Sequence, residues 1–144
     1  MHRSSTARWN GTGLEGKGQI TTQSGTLADT AYGFAARFQS EDGKAGTNPE
    51  ELLGAAHAAC FTMALAFRLS GAGHPPEELR TEAKVHMYKG DGGWLLPTIH
   101  LVVVGKVPGL DADAFTAHAE AAKATCPVSR ALAATPITLA ASLG

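Results

Sequence analysis

The stretch that most limits what this chain can become is residues 47–68. It reads Thr47-Asn48-Pro49-Glu50-Glu51-Leu52-Leu53-Gly54-Ala55-Ala56-His57-Ala58-Ala59-Cys60-Phe61-Thr62-Met63-Ala64-Leu65-Ala66-Phe67-Arg68. The pattern predicts one long helix with a cysteine in its middle. Asn48 or Thr47 caps the first free amides, Pro49 loses nothing by lacking an N–H in the first turn, and Glu50 and Glu51 sit where the helix dipole favours negative charge. Gly71-Ala72-Gly73-His74-Pro75-Pro76 then supplies the residues that end a helix. Leu52, Ala56, Ala59, Cys60, Met63, Ala64 and Phe67 recur at helical spacing and predict the apolar stripe. So much alanine leaves little bulk on any face, and a sheet or a second helix can approach closely. The length would allow a membrane span. His57 and Arg68 interrupt it, however, and alanine drives insertion weakly, so the expectation is a core helix of a soluble domain.

A chain of 144 residues has the size of a single domain, and residues 1–144 are expected to form one, with 1–6 a flexible start. The net charge of −1 and the lack of a basic run leave no electrostatic footprint for nucleic acid or an acidic membrane, so neither is an expected partner. Met1-His2-Arg3-Ser4-Ser5-Thr6-Ala7-Arg8 carries no apolar core of a signal peptide, which points to the cytoplasm.

Residues 7–24 are punctuated by glycine and threonine and read as short strands of a meander. Tyr32-Gly33-Phe34-Ala35-Ala36-Arg37-Phe38 reads as another strand, with Phe34, Ala36 and Phe38 on one face and Arg37 on the other. Residues 39–46 form a polar loop leading to the long helix. After it, residues 81–89 alternate Ala83, Val85 and Met87 against Lys84, His86 and Tyr88, and Gly90-Asp91-Gly92-Gly93 turns the chain into a return strand over 94–107. On that strand Ile99, Leu101 and Val103 share a face, and Pro97 forces an irregular start before Thr98. A second helix is predicted over 111–125, a short one from Pro127, and a last strand over 136–142. The order, without strict strand–helix alternation, argues an α+β fold: an antiparallel or mixed sheet covered by helices, the long one central.

Cys60 and Cys126 lie 66 positions apart, so neither a C-x-x-C redox motif nor a zinc knuckle is present. On an alanine-rich helix Cys60 is readable as a small buried hydrophobe. Cys126 directly precedes Pro127 at a helix start, where backbone amides stabilise a thiolate; local chemistry nominates it, not Cys60, as the low-pKa thiol. His57, three residues before Cys60, has the spacing of a Cys–His nucleophile or half a metal pair, but a lone His-x-x-Cys lacks the second pair a zinc site wants, and the expectation is a packed or hydrogen-bonded helix residue.

Three blocks, Thr47-Asn48-Pro49-Glu50-Glu51-Leu52, His57-Ala58-Ala59-Cys60-Phe61 and Cys126-Pro127-Val128-Ser129, closely resemble the OsmC/Ohr family of thiol peroxidases, and the resemblance runs from about Ala7 to the end. It is to the OsmC branch. Ohr proteins usually carry their arginine in a glycine-rich N-terminal segment, whereas Gly11-Thr12-Gly13-Leu14-Glu15-Gly16 holds none.

The resemblance implies Cys60 as the peroxidatic thiol and Cys126 as the resolving one. It gives Arg37 the role of the thiolate's cation and Glu50 that of the arginine's partner. It further implies an intertwined homodimer acting on organic hydroperoxides in oxidative or osmotic stress, recycled by a dithiol of lipoyl type, with no cofactor and no metal. Helix geometry adds one expectation. Ten helical residues, about 15 Å, separate Glu50 from Cys60, so a site using both takes the cysteine from a partner subunit. The alternative is a non-catalytic dimer of the same fold that binds a small ligand or a metal.

Overall fold

The computed structural model describes Met1–Gly144, which divide into two compact units, Met1–Leu52 and Leu53–Gly144. The first is a three-stranded antiparallel meander. Strand β1 (Ser5–Asn10) pairs with β2 (Lys17–Thr22), and β2 pairs with β3 (Thr30–Tyr32). Every residue of β1 is exposed, and β1 is an edge strand paired with β2 alone.

The strand expected over 32–38 is instead two elements. The sheet ends at Tyr32, and helix α1 (Phe34–Phe38) follows. Phe34-Ala-Ala-Arg-Phe38 satisfies both periodicities. Read as a strand it alternates, but as a helix it stacks Phe34 on Phe38 one turn away, with ring centroids 4.9 Å apart. The aromatic pair supports the turn of helix, which moves Arg37 off a strand face and onto a helix.

Helix α2 (Pro49–Gly71) begins in the first unit and runs on through the second. Its start follows the sequence: Asn48 Oδ1 accepts from the Glu51 amide at 2.8 Å, and Thr47 Oγ1 donates to the Glu51 carboxylate at 2.6 Å. Such a cap stabilises the helix by about 1 kcal/mol. The buried stripe differs from the expected one. It passes through Gly54, His57, Phe61, Leu65 and Leu69, while Met63 and Phe67 stand 61% and 75% exposed. The helix is apolar almost all round, so periodicity alone did not rank its faces. By length and composition it is apolar enough to cross a membrane, yet its inner stripe packs into the core of the second unit.

That core lies on a mixed sheet. Strand β4 (Glu78–Val85) runs antiparallel to β7 (Ile99–Lys106), and β8 (Ile137–Leu143) runs parallel to β7. Between β4 and β7 the predicted hairpin breaks into a small ribbon, β5 (Tyr88–Gly90) with β6 (Gly93–Leu95), because Pro97 falls where a ladder donor would be needed. Ile99, Leu101 and Val103 face inward as expected and are fully covered. Helix α3 (Ala112–Thr125), capped by the Asp111 side chain on the Ala114 amide at 2.8 Å, seals Phe115, Ala119 and Ala122 against the sheet. Gly54 lets α2 lie close to β4, since a Cβ there would come within 3.1 Å of the Ala83 carbonyl oxygen. Cys126 then ends α3 and begins α4 (Pro127–Ala131), sealed in the same core.

Candidate active site

Two sets of expected site residues are brought together, one in each unit. In the second unit, mid-helix Cys60 meets Cys126 at the α3–α4 junction with their Sγ atoms 3.1 Å apart. Both are free thiols. Cys60 is partly exposed, whereas Cys126 is 0% exposed.

Their surroundings push the two sulfurs apart in acidity. Burial raises the Cys60 thiol pKa, the contact with Cys126 raises it further, and only the Val128 amide works the other way. For Cys126, burial also acts upward, but the Ser129 amide, the Cys60 thiol, the Ser129 hydroxyl and the Val128 amide together prevail and bring it below the ordinary thiol range. The directions follow the helix-start argument made from sequence. Within the chain, then, the more accessible sulfur is the less acidic.

In the first unit, Arg37 of α1 and Glu50 of α2 form a two-pronged ion pair: Nε to Oε2 at 3.1 Å and Nη2 to Oε1 at 2.6 Å. A bridge between Tyr32 and Thr47 ties the end of β3 to the residues that precede α2, and so sets α1 beside the helix start. A fork-to-fork contact fixes the guanidinium plane and leaves its remaining N–H groups free to bind an oxygen or face a sulfur. The side chains are 34% and 13% exposed, so the arginine stays open to solvent.

Sequence reasoning gave His57 three readings and assigned Ser129 no role. The structure bonds them to each other in the core, His57 Nε2 to Ser129 Oγ at 2.8 Å. His57 is thus a hydrogen-bonded core histidine, and no three His, Cys, Asp or Glu residues cluster as a metal site would need. The signal that marks Ser129 is its place three residues after Cys126, where its amide joins the helix start.

Burial lowers the His57 pKa below 6.5. As pH falls, the unfolded chain therefore takes up this proton before the folded one does. Stability from this group is complete above pH 6.5 and drains away between 6.5 and the lower folded-state value. Urea midpoints measured from pH 7.5 to 5 will fall in the wild type and fall less steeply in His57→Gln; parallel curves would remove His57 as the cause.

The sequence model of a family described as OsmC-like protein matches residues 41–141. The chain belongs to the OsmC-like family. It is 46% identical over 134 residues to peroxiredoxin OsmC of Escherichia coli (strain K12), with 93% of this chain and 92% of that protein covered. Peroxiredoxin OsmC of Shigella flexneri matches with the same identity and coverage. Among solved structures, the organic hydroperoxide resistance protein OhrB of Bacillus subtilis is 28% identical, with a TM-score of 0.71 over 98% of each chain. An OsmC-like protein of unknown function from Vibrio cholerae reaches a TM-score of 0.77 at 13% identity, covering 98% of this chain and 99% of that one, a likeness of fold alone. The α+β fold expected from the order of elements is thus the OsmC-like fold.

Proposed function

We propose that this OsmC-like chain is a cytoplasmic thiol peroxidase that reduces organic hydroperoxides to alcohols. The observation that carries the reading is the 3.1 Å approach of Cys60 Sγ to Cys126 Sγ. Two sulfurs so placed need close by only about 1 Å to reach a disulfide of roughly 2.05 Å. The accessible Cys60 thiolate attacks the peroxide O–O bond and takes one oxygen; the other leaves as alkoxide and is protonated to the alcohol. Cys126 displaces water from the resulting sulfenic acid, and an external dithiol, of lipoyl type, reduces the disulfide by exchange.

Cys60 lacks an activating charge of its own, since burial raises its pKa. Arg37, held by Glu50, is the cation we assign to it, and the site is completed across a homodimer. Two features support the dimer. Ten helical residues, about 15 Å, separate Glu50 from the cysteine of its own helix. The outer face of α2, with Ala56, Ala59, Met63 and Phe67 exposed, is an apolar stripe of the kind that a second copy covers.

The direct test is mass spectrometry of the reduced protein after cumene hydroperoxide or hydrogen peroxide. The expected product is one Cys60–Cys126 disulfide, formed more readily with the organic peroxide. If both thiols still alkylate in excess organic hydroperoxide, the reading fails.

A further inference from the structure

The Arg37 guanidinium is held on two sides by residues of its own unit. Glu50 takes one edge, through Nε at 3.1 Å and Nη2 at 2.6 Å. The Phe38 ring takes one face, with Arg37 Cζ 4.9 Å from the ring centroid, close enough for a cation and a π face to attract. Phe34 braces Phe38 in turn, their rings tilted by 45° at 4.9 Å between centroids. Phe34, Arg37 and Phe38 are each half-buried. Two hydrogen bonds along one edge define a line, and the guanidinium plane can still tip about it. A ring against the face adds a third point off that line and removes the freedom to tip. It does so without using an N–H or adding negative charge. Glu50 already offsets the arginine's charge and occupies two of its five donors; a second carboxylate would cancel the field that a thiolate needs, whereas a π face leaves the other donors available. The turn of helix is what brings cation and ring together, since a strand would put Arg37 and Phe38 on opposite faces.

We propose that Phe38 is a positioning residue for the peroxidase reaction: its ring face fixes the plane of the Arg37 guanidinium, so that the donors Glu50 leaves free meet the reacting sulfur and peroxide oxygens in one orientation. The inference rests on the assignment of Arg37 as the cation of Cys60, though the contact between ring and guanidinium does not depend on it. In the step it serves, Cys60 Sγ gives an electron pair to one peroxide oxygen. The S–O bond forms as the O–O bond breaks, and negative charge gathers on the departing alkoxide oxygen, which takes up a proton from solvent. An N–H donor aimed beforehand stabilises that charge without reorganising as it develops, and a small error of aim forfeits much of the effect. Phe38 touches neither sulfur nor peroxide and acts through Arg37 alone.

The test keeps the ring's shape and changes its charge. Pentafluorophenylalanine in place of Phe38 reverses the sign of the π face at nearly constant size, Phe38→Leu removes the face, and Phe38→Tyr preserves it. Each full-length reduced protein is read in two ways. NMR of the nitrogen-labelled Arg37 side chain, assigned by its loss in Arg37→Met, measures rotation about the Nε–Cζ bond with no peroxide present. Rapid quench with a sulfenic-acid probe times the oxidation of Cys60 by cumene hydroperoxide. The fluorinated and Leu proteins should rotate about three- to tenfold faster and form sulfenic acid about three- to tenfold more slowly, the size of a lost cation–π contact, while Phe38→Tyr stays within about twofold of the wild type. Should Phe38→Leu fail to fold by circular dichroism, the fluorinated and Tyr proteins carry the comparison. A fluorinated protein that matches the wild type in both readouts would mean that the ring packs without holding the charge, and the proposal falls. If rotation is freed but oxidation keeps its rate, Arg37→Met shows where the fault lies. A slow Arg37→Met overturns the positioning role of Phe38; one as fast as the wild type overturns the assignment of Arg37 to Cys60, and the positioning role with it. A wild type that forms no sulfenic acid removes the peroxidase reading itself, and the NMR arm alone then decides whether the ring clamps the guanidinium.

Discussion

Cys60→Ser will lose turnover of organic hydroperoxide by roughly a thousandfold or more, because a hydroxyl without a strong base is a poor substitute for a thiolate. Cys126→Ser will still consume one equivalent of peroxide and stop at sulfenic acid. The contrast between these two variants decides between two physical claims on the role of nucleophile. Acidity favours Cys126, whose pKa is lowered at the start of α4, while that of Cys60 is raised. Access favours Cys60, since Cys126 is 0% exposed whereas Cys60 is partly exposed.

The magnitudes settle which should win. One unit of pKa costs about tenfold in thiolate at a given pH, and a neighbouring guanidinium can reverse it. A sulfur that peroxide cannot approach in line with the O–O bond does not react at all. A trapped sulfenic acid on Cys126 in the Cys60→Ser protein, with none on Cys60 in the reverse variant, would hand the role to the helix-start thiol.

What could be read from the chain depended on whether a feature is local. The start of α2 was legible because caps and first-turn charges lie within five residues: Asn48 caps a free amide as the sequence suggests, while Thr47 bonds the Glu51 carboxylate instead. So were the inward Ile99, Leu101 and Val103, whose strand alternates cleanly. Phe34 to Phe38 was misread because five residues cannot separate period two from period 3.6 when both place an aromatic at each end. The buried stripe of α2 was misplaced for a different reason: a helix apolar on every side has more than one face that could be covered, and the one that periodicity selected, through Met63 and Phe67, stays open in the chain. The meeting of Cys60 with Cys126 was accessible only through resemblance to a family. The His57–Ser129 bond joins residues 72 positions apart, and their pairing had no local sequence signal. Contacts of that separation are made by the packing of α4 against α2, and nothing in either short stretch encodes the other.

The open stripe on α2 and the Arg37–Glu50 pair lead to the second large effect, which appears only when two dead proteins are mixed. Arg37→Met removes the cation and should cost roughly a hundredfold or more in kcat/KM, since the Cys60 thiolate loses both its charge partner and a donor to the peroxide oxygens. Cys60→Ser is inactive for the reason already given. If each site joins Cys60 of one protomer to Arg37 and Glu50 of the other, a dimer holding one chain of each kind has one site with both defects and one site with neither. Unfolding and refolding an equal mixture makes about half the dimers mixed, so about a quarter of all sites should regain full activity. Had Arg37 served the cysteine of its own chain, every site in a mixed dimer would carry one defect, and the mixture would stay as inactive as its components. Recovery near one quarter therefore demonstrates a shared site. No recovery, from a mixture shown by mass spectrometry to contain mixed dimers, would place both groups in one protomer and contradict the separation of Glu50 from Cys60 along α2.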